Sequence, residues 1–512
     1  MKNAFKEALF DPATFCVSWE LIPGRGAREA GQANVLASAT QAAADRNIHA
    51  ITLTDMPGGH PALTAEALGS EIRALGIEPL IHFTCKDRNR NQIESQLYAM
   101  EHANIHNLLV MTGDYPDSGY AGRPKPVFDL DPVHVLQLIS ELNAGLPIPA
   151  GKGTAVLQPC DFFSGCAVSP FKALPGELVM QYLKLEKKIA AGAQFVITQL
   201  GYDARKFHEV LQVVRQINPA IPVIGNIYIL PYGAGKMMRE NRLPGCVVTD
   251  QLLAQLDQER TAPDKGVQAR LQRAAKMYAW LKGFGFDGVH IGGNNLRYEQ
   301  VAAIIRQGEE FYSHWQDFLP EFDLPQPQGF YVFQRDPSNG LNSDTLNEHP
   351  RPVPRAGERI SYALMRLFHC VFFTPQKKLY PLMRFIYRHK NPRHYPLEHL
   401  IKILANHCQD CGDCALFDTA YLCPMSQCPK NQRNGPCGGS CLGWCEVFPL
   451  EQPCVWVRAY ARLGSHEQAP FPDQRLLPPV NWALSHTSAW HNYFNGRDHT
   501  ASAQDKTFKN TK

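Results

Sequence analysis

Long apolar runs, an excess of one charge and a secretory leader are all missing from this chain of 512 residues. No apolar stretch is long enough to cross a bilayer, so we expect no membrane span. The 51 basic residues nearly balance the 48 acidic ones, which leaves no general nucleic-acid footprint. The N-terminus lacks the unbroken apolar core of a signal peptide. These absences predict a cytoplasmic protein that binds no nucleic acid.

A Gly-x-Gly-x-x-Gly turn is also missing after every predicted strand, which disfavours the open, doubly wound sheet of dinucleotide-binding proteins. Eight short apolar runs, separated by amphipathic helical patterns, occupy the first 295 residues instead. Runs of this length suit strands buried on both faces, and eight of them alternating with helices predict an α/β fold, the (β/α)8 TIM barrel. The predicted strands are 14–21, 50–55, 79–85, 107–114, 154–160, 194–200, 222–230 and 287–293.

Polar side chains stand at the carboxyl ends of most predicted strands. In a parallel barrel these ends converge on one mouth, where catalytic sites are built. One such residue alone often does no more than cap a helix or end a strand, but a ring of them at one rim is costly unless it is used. We therefore predict a site at this mouth. The residues are Glu20, Asp55, His82, Thr84, Asp114, Gln158, Gln199 and Asn294.

Three of these residues have distinct chemical uses. Glu20 lies inside an apolar strand, where burial would raise its pKa and make it a general acid; the alternative is a salt-bridged strand glutamate. Asp114 follows Gly113 in a sharp turn that exposes a carboxylate, or that simply forms an Asx turn. Gln199 offers a donor and an acceptor to the amide edge of a heterocycle. His82 has less weight, because it is compatible with a core histidine.

Lysines mark the helix before the sixth predicted strand. The usual interpretation of three such lysines, here Lys184, Lys187 and Lys188, is a solvated helix face. Lys184 and Lys188 are four residues apart, so they share one side of the helix and together would be able to clamp a phosphate.

Nine of the fifteen cysteines fall between Cys408 and Cys454. This density indicates metal ligands in a reducing compartment rather than disulfides. The first three have the two-residue spacing of iron–sulfur ligands, two more precede prolines, and the last four form a candidate second set. Structural zinc is the alternative, because four-cysteine zinc sites accept loose spacing. The predicted metal ligands are Cys408, Cys411, Cys414, Cys423, Cys428, Cys437, Cys441, Cys445 and Cys454.

Proline and asparagine accumulate at 320–330 and 336–355, which is typical of an interdomain linker. Two apolar helical stretches follow at 360–373 and 379–390, and we expect them to form the packing core of a small domain rather than a membrane or partner surface. The predicted divisions are a barrel at 1–318, a linker at 319–355, a cysteine-rich domain at 356–482 and a flexible tail at 483–512.

Four short strings together resemble the methylenetetrahydrofolate reductase family: HFTCKDRN (82–89), MTGD (111–114), AGA (191–193) and ITQ (197–199). Their order and spacing match over residues 10–310. The resemblance implies a (β/α)8 flavoprotein that carries FAD, with FMN as the alternative. Such a protein transfers hydride from the reduced flavin to methylenetetrahydrofolate and makes methyltetrahydrofolate. The resemblance also implies a folate substrate and a homo-oligomer.

The resemblance assigns roles position by position. Glu20 matches the family's general acid, which protonates the folate nitrogen whose departure opens the bridge to an iminium. Asp114 matches the carboxylate near the flavin and the pterin, and Gln199 matches the pterin-binding amide. Lys188 would meet the flavin phosphate. The positions that line the flavin are His82, Thr84, Gly113, Asp114, Phe128, Asp129 and Lys188.

The sequence also departs from the family. Around Glu20 it has Trp-Glu-Leu-Ile-Pro where the family has an aromatic on each side of the acid and two prolines. No aromatic in 226–232 matches the one that packs on a nicotinamide. The cysteine-rich region resembles the small partner subunit of some bacterial reductases, which implies that electrons reach the flavin through metal clusters. The donor is therefore NAD(P)H or an electron-transfer protein.

Two competing interpretations remain. The same barrel can work in reverse and oxidise methyltetrahydrofolate, because direction depends on the donor's potential and on metabolite levels. Alternatively, the chain is a metal-bearing scaffold whose barrel has lost catalysis. The joint presence of Glu20, Asp114 and Gln199 weighs against the scaffold.

Overall fold

A computed structural model describes residues 3–348, 352, 354–464 and 475–501. These residues contain twelve strands: β1 (Cys16–Leu21), β2 (Ala50–Leu53), β3 (Glu78–Thr84), β4 (Asn107–Met111), β5 (Pro147–Ala150), β6 (Gly153–Val156), β7 (Phe163–Val168), β8 (Val196–Thr198), β9 (Val223–Tyr228), β10 (Gly288–Gly292), β11 (Phe333–Arg335) and β12 (Asn342–Leu346).

The same residues form seventeen α-helices: α1 (Ala4–Phe10), α2 (Ala30–Asp45), α3 (Ala65–Ala74), α4 (Arg90–His102), α5 (Pro132–Ala144), α6 (Pro175–Ala190), α7 (Ala204–Ile217), α8 (Tyr232–Arg239), α9 (Asp250–Glu259), α10 (Val267–Phe284), α11 (Tyr298–Phe311), α12 (Ala356–Phe372), α13 (Tyr380–His389), α14 (Pro396–Asn406), α15 (Pro424–Gln427), α16 (Val455–Gly464) and α17 (Ala489–Phe494). Short 3-10 segments lie at Pro57–Gly59, Tyr312–Phe322, Phe417–Thr419 and Trp482–Leu484.

Eight parallel strands close into a barrel in the order β1-β10-β9-β8-β7-β4-β3-β2, and β2 pairs with β1 again. The (β/α)8 prediction is therefore confirmed. Because both faces of a closed parallel sheet are covered, its strands are almost wholly buried, and β3 is buried along its whole length. The register places Ser18 beside His290 and Glu20 beside Thr52.

The fifth barrel strand is not the predicted one. Residues 154–160 were expected to form it, but 153–156 belong to an exposed hairpin with β5, and β7 is the fifth barrel strand. The apolar pattern predicted the wrong segment for a physical reason. The exposed hairpin contains the continuous apolar run Ala155–Leu157, whereas the true strand, FSGCAV, dilutes its apolar pattern with serine and glycine.

Helix α1 closes the amino end of the barrel. Phe5 and Leu9 are buried against residues that line the barrel interior, among them Leu80 and Ile224. Phe5 meets Phe163 and Phe195 edge to face, with ring centroids 6.0 and 5.6 Å apart. The mouth at the carboxyl end is therefore the accessible end of the barrel.

The cysteine-rich region packs directly on the barrel through α16 and α6. Gly176, which begins the contact face of α6, has no side chain, and a Cβ there would lie 2.8 Å from the ring of Tyr460. Met180 of the barrel joins Trp456 and Ala459 in one buried cluster. The missing side chain thus lets the two helices approach closely.

The segment predicted as a linker holds a β-hairpin, β11–β12, against α7. Arg205 donates through Nε to Asn342 and through Nη2 to the carbonyl of Phe333, both at 2.8 Å. Lys206 donates to the carbonyl of Phe330 at 2.6 Å. Residues 330–342 are therefore part of the barrel's outer surface.

The chain after residue 483 also differs from the predicted flexible tail. Leu484, Ser488 and Asn492 are buried, and α17 places Phe494 against Phe373 with ring centroids 5.1 Å apart. Asn492 donates to the carbonyl of Gly412 at 2.9 Å, which fixes the segment beside the cysteines. Residues 502–512 of the predicted tail lie outside the described residues.

This last segment is expected to lose stability as pH rises towards 9. His499 contacts Asp413 at 2.5 Å and Asp418 at 3.1 Å. Burial lowers the pKa of His499, but hydrogen bonds to the two carboxylates raise it, to about 9 overall. A raised folded-state pKa gives stability that is complete below pH ~6.5, the unfolded value, and is lost as pH rises through the folded value. The Tm advantage of the natural protein over His499→Asn should be largest near pH 6 and vanish above pH 9; a constant advantage would contradict this.

Helices α12 and α13 only partly match the predicted packing core. Tyr362, Phe373 and Tyr387 are buried, as expected for a core. Their neighbours Leu364 and Phe385 are exposed. The expectation of a packing core is therefore wrong for one face of each helix. In the part of the chain that the structure describes, no helix has the length and apolarity needed to cross a membrane.

Candidate functional site

A cavity of about 380 Å³ opens at the carboxyl end of the barrel and is covered by the cysteine-rich region. This size lies within the range of small-molecule sites. The structure brings eight of the residues predicted for the barrel mouth, the substrate or the flavin into its wall. They are Glu20, Asp55, His82, Thr84, Gly113, Asp114, Lys188 and Gln199.

Four of the residues predicted at strand ends or along the flavin lie elsewhere. Gln158 precedes the fifth barrel strand and is exposed, because that strand begins only at Phe163, and Asn294 is exposed beyond β10. Phe128 is buried with its ring stacked on Tyr115. Asp129 is bound by Arg90 and by the indole N–H of Trp482 at 2.8 Å. None of these four side chains contributes to the cavity wall.

Glu20 forms a polar chain with two neighbouring strand residues. His290 Nε2 lies 3.5 Å from Glu20 Oε2, and Ser18 Oγ lies 3.0 Å from His290 Nδ1. Burial raises the pKa of Glu20, but the hydrogen bond and charge of His290 hold it below its ordinary value. The expectation of a raised pKa is therefore wrong, because it omitted the imidazole that the barrel register supplies. A proton can pass between Glu20 and His290.

His82 completes this cluster. Burial lowers its pKa to about 4, so its imidazole is uncharged near neutral pH. Donor atoms of Glu20, His82 and His290 all lie within 4.8 Å of one another. Three such groups can share a proton or, by their chemistry, a metal ion.

Four buried polar atoms in the cavity wall have no hydrogen-bond partner among the described residues. They are Thr54 Oγ1, His82 Nε2, Ser169 Oγ and Gln181 Nε2. Buried polar groups are nearly always satisfied, because leaving one unpaired costs about 1–3 kcal/mol. All four residues belong to the wall of one cavity, so this wall suits a polar ligand with several donors and acceptors.

Asp55 and Thr84 have a structural task at the rim. The Arg88 guanidinium donates to Asp55 at 2.7 and 3.1 Å, and the Thr84 hydroxyl donates to the same carboxylate at 2.6 Å. All three side chains are buried. Removing one partner would leave an unpaired charge, so this network fixes the ends of β2 and β3.

The turn at Gly113 places Asp114 at the cavity edge. Gly113 has φ +82°, and a Cβ there would lie 2.8 Å from the Thr84 side chain and 2.9 Å from that of Lys86, so glycine is required. Asp114 Oδ2 accepts a hydrogen bond from the Gly58 N–H at 2.7 Å. Its carboxylate is exposed to the cavity and keeps a second oxygen for a ligand.

The cysteine-rich region supplies the roof of the cavity. Lys430, Cys437 and Glu446 belong to its wall. Lys430 pairs with Glu446 at 2.5 Å and donates to the carbonyl of Gly113 at 2.8 Å. Burial raises the pKa of Glu446, but Lys430 lowers it overall. Cys437 Sγ lies 3.1 Å from Glu446, so the roof joins the cysteines to the barrel mouth.

The two candidate phosphate lysines have different surroundings. Lys188 lines the cavity and donates to the carbonyl of Ala167 at 2.6 Å, and burial lowers its pKa to about 8. Lys184 is buried beneath the roof, where it donates to Gln432 at 2.7 Å and to the carbonyl of Gly435 at 3.1 Å. Only Lys188 is placed to meet a ligand in the cavity.

The cysteines form two groups in space. The first group surrounds a small enclosed cavity of about 30 Å³ and consists of Cys408, Cys411, Cys414 and Cys423. The second group consists of Cys428, Cys437, Cys445 and Cys454. Burial raises the pKa of these thiols, and for Cys428, Cys437 and Cys454 the charges of neighbouring thiols in the group raise it further. Cys441 stands apart, with Glu177 and Lys172 as its charged neighbours. Cys428 thus takes the place that the spacing suggested for Cys441.

The sulfurs are spread more widely than one zinc ion requires. With Zn–S bonds of about 2.3 Å, four sulfurs would lie roughly 3.8 Å apart. Among the described residues, three donor atoms within 4.8 Å occur only at Glu20, His82 and His290.

Sequence reasoning missed several residues of the wall. Asn226 and His290 are polar residues inside apolar strands, which was a usable signal. No such signal existed for Ser169 and Gln181, because the strand before them was predicted at the wrong position. Tyr228 lines the cavity too, and burial and the charge of Glu20 raise its pKa to about 12.

The fold and this cavity together define a barrel protein with a small-molecule site at its carboxyl-end mouth and a cysteine-rich cover. Residues 6–308 match the family described as methylenetetrahydrofolate reductase, and 387–483 match the one described as methylene-tetrahydrofolate reductase C terminal. The chain belongs to the methylenetetrahydrofolate reductase family. The resemblance seen in the sequence is thereby confirmed for the barrel, and the second domain is related to the same enzymes.

Curated relatives carry the same name. The chain is 24% identical over 256 residues to "Methylenetetrahydrofolate reductase 2" of Schizosaccharomyces pombe, covering 48% of this chain and 38% of that protein. It is 23% identical over 259 residues to "Methylenetetrahydrofolate reductase (NADH) 1" of Zea mays, covering 49% and 42%. The match therefore spans less than half the length of either relative.

Among solved structures, a Clostridium thermocellum protein described as binding two copies of 5-methyl-5,6,7,8-tetrahydrofolic acid aligns with a TM-score of 0.42 and 12% identity. The alignment covers 60% of this chain and 99% of that one.

Proposed function

We propose that this chain is a flavin-dependent methylenetetrahydrofolate reductase whose cysteine-rich domain carries electrons to the flavin. The observation that carries the proposal is the barrel-mouth cavity, whose wall contains the Glu20–His290 pair and four residues that each have an unpartnered buried polar atom. Family membership and the curated relatives support the activity.

The cavity fits a flavin by its chemistry. The unpartnered atoms of Thr54, His82, Ser169 and Gln181 can meet the nitrogen and oxygen edge of an isoalloxazine ring. Lys188 can meet a phosphate. A reduced flavin bound there supplies the hydride, and the protein supplies placement and electrostatics.

The remaining polar groups suit a folate. Asp114 has a free carboxylate oxygen that can accept from the amino edge of a pterin, and Gln199 can both donate and accept. We assign Glu20 as the acid that protonates the departing folate nitrogen. Because its pKa is held low by His290, the proton reaches Glu20 through the His290 hydrogen bond, and Ser18 fixes the imidazole.

The proposed flavin is FAD, which the family resemblance implies, with FMN as the alternative. Of the two candidate phosphate lysines, Lys184 is bound by Gln432 and Gly435, which leaves Lys188 to meet a phosphate. Mass spectrometry of the supernatant after heat denaturation checks this. FAD is the expected species, and FMN as the main species would show that the alternative holds.

Cys437 carries the proposed electron path. It belongs both to the second cysteine group and to the wall of the cavity. A metal cluster held by that group would therefore lie beside the flavin, within the same roof. The proposed donor is an electron-transfer protein, with NAD(P)H as the alternative.

An absorbance spectrum of anaerobically purified full chain, before and after dithionite, tests the proposal. Flavin bands with a broad shoulder that bleaches on reduction would support it. Flavin bands alone would leave the cysteines to zinc and favour a nicotinamide donor. No flavin in a folded sample would favour the scaffold interpretation and overturn the proposal.

A further inference from the structure

Helix α14 has an inverted pattern, with polar side chains inward and apolar ones outward. Glu398, Lys402 and Asn406 are buried, and all three line the small cavity of the first cysteine group. The opposite stripe follows helical spacing and is exposed: Leu397, Leu400, Ile401 and Leu404. Because the polar side serves the cysteines, the apolar side of this amphipathic helix has to face outward.

Helices α12 and α13 show the same outward stripe. On α12 the exposed residues are Ile360, Leu364, Leu367 and Phe368. On α13 they are Leu382, Phe385 and Ile386. Their spacings of three and four residues place each set on one side of its helix. We call the eleven side chains of these three stripes the apolar face.

Aromatic contacts hold the three helices together. Phe368 of α12 and Tyr387 of α13 both meet Trp490 of α17, with ring centroids 5.5 and 5.9 Å apart. The Lys402 ammonium of α14 lies 5.8 Å from the same ring. The apolar face is therefore built on one packed unit. Monomeric proteins rarely expose a large contiguous apolar patch without a use for it.

Positive charge is concentrated around the apolar face. Residues 355–404 contain ten Lys or Arg and two Glu, a formal net charge of +8, although the whole chain has +3. The two glutamates are paired inward, Glu358 with Arg458 and Glu398 with Lys402. The exposed basic residues are Arg355, Arg359, Arg366, Lys377, Lys378, Arg384, Arg388 and Arg393.

An apolar cavity of about 730 Å³ opens among these helices. Leu364, Phe368 and Ile401 belong both to its wall and to the apolar face. Its wall also includes Cys414 of the first cysteine group. A long apolar chain entering from the face would therefore end beside the cysteines.

We infer that the apolar face docks the protein on an anionic lipid bilayer, with the helices lying in the plane of the interface. Exposed leucine and phenylalanine stripes beside lysine and arginine are the pattern of helices that lie on membranes. Anionic lipids attract such residues electrostatically. A second copy of this chain is a poor occupant, because it would bring two faces of charge +8 together. Docking would also bring the acyl chains of the lipids close to the cavity.

Vesicle co-sedimentation of the full chain tests this without any turnover, so its failure is distinct from failure of the proposed reductase. Vesicles of phosphatidylcholine with 30% phosphatidylglycerol are expected to bind the protein at least tenfold more than phosphatidylcholine alone. Raising salt to about 0.5 M should weaken the binding, because screening shortens the reach of the charges. Equal binding to both vesicles, or none to either by folded protein, would overturn the inference.

Matched leucine variants localise the effect. Leu404 on the apolar face and Leu450 outside it are exposed to the same degree, 75% and 77%. Leu404→Gln combined with Leu397→Gln should reduce vesicle binding about tenfold or more, whereas Leu450→Gln should not change it. Light scattering of the same proteins measures their oligomeric state and so tests whether a second copy of the chain covers the face instead. A dimer that dissociates only in the Leu404 variant would show that a second copy covers the face and would overturn the inference.

Discussion

Replacing Glu20 by glutamine is expected to slow folate reduction by about two to four orders of magnitude, the usual contribution of a general acid. The amide cannot pass a proton from His290 to the folate nitrogen. Its size and its place beside Thr52 are retained, so the barrel should fold normally. Flavin content should stay the same, because Glu20 is assigned to the substrate rather than to the cofactor.

Glu78 provides a matched control for Glu20. Glu78 is also a strand glutamate, but it is buried and lies at the amino end of β3, where it pairs with Arg73. Glu78→Gln should lower Tm while leaving turnover near that of the natural protein. Single-turnover reduction of methylenetetrahydrofolate by photoreduced enzyme measures the chemical step directly. Near-normal turnover in Glu20→Gln, or an equal loss in Glu78→Gln, would remove Glu20 from the mechanism.

Burial on both faces made seven of the eight barrel strands readable from sequence. Such strands are continuous apolar runs, and β3 is an example with every residue buried. The fifth strand failed because Ser164 and Gly165 interrupt its pattern. Gly165 is fixed by packing, since a Cβ there would lie 2.3 Å from the ring of Phe195. A close ring contact of this kind leaves no periodic signal.

The site was readable only where strands end. Glu20, Asp114 and Gln199 stand at strand ends, and local pattern located them. The roof residue Lys430 lies more than 300 residues along the chain from Gly113, the barrel residue that it contacts. Cys437 lies more than 200 residues from its barrel neighbour Lys184. No periodic pattern in the local sequence indicates such long-range contacts. The low pKa of Glu20 was missed for the same reason, because it depends on a partner strand.

The cysteine grouping shows the limit of spacing arguments. Cys437, Cys441 and Cys445 are evenly spaced, and this regularity suggested one ligand set. The chain folds so that Cys441 turns towards Glu177, while Cys428 approaches Cys445 and Cys454. The two sets of four therefore follow from the path of the chain and not from its intervals.

Serine in place of Cys428 is expected to remove about half of the bound metal, because one of two four-cysteine sets would lose a ligand. The loss should also slow reduction of the flavin by an electron-transfer donor at least tenfold, since Cys437 of the same set lines the cavity proposed for the flavin. The first group, around Cys414, should keep its metal.

Cys441→Ser is the matched control, because it makes the same chemical change in the same domain at a thiol outside both groups. Metal content and donor-dependent flavin reduction should both remain near those of the natural protein. Iron, zinc and acid-labile sulfide measured per chain, with flavin bleaching by dithionite as a donor-independent reference, distinguish the two variants. If Cys441→Ser lost the metal and Cys428→Ser kept it, the ligand set would follow the sequence intervals, and the electron path through this roof would have to be redrawn.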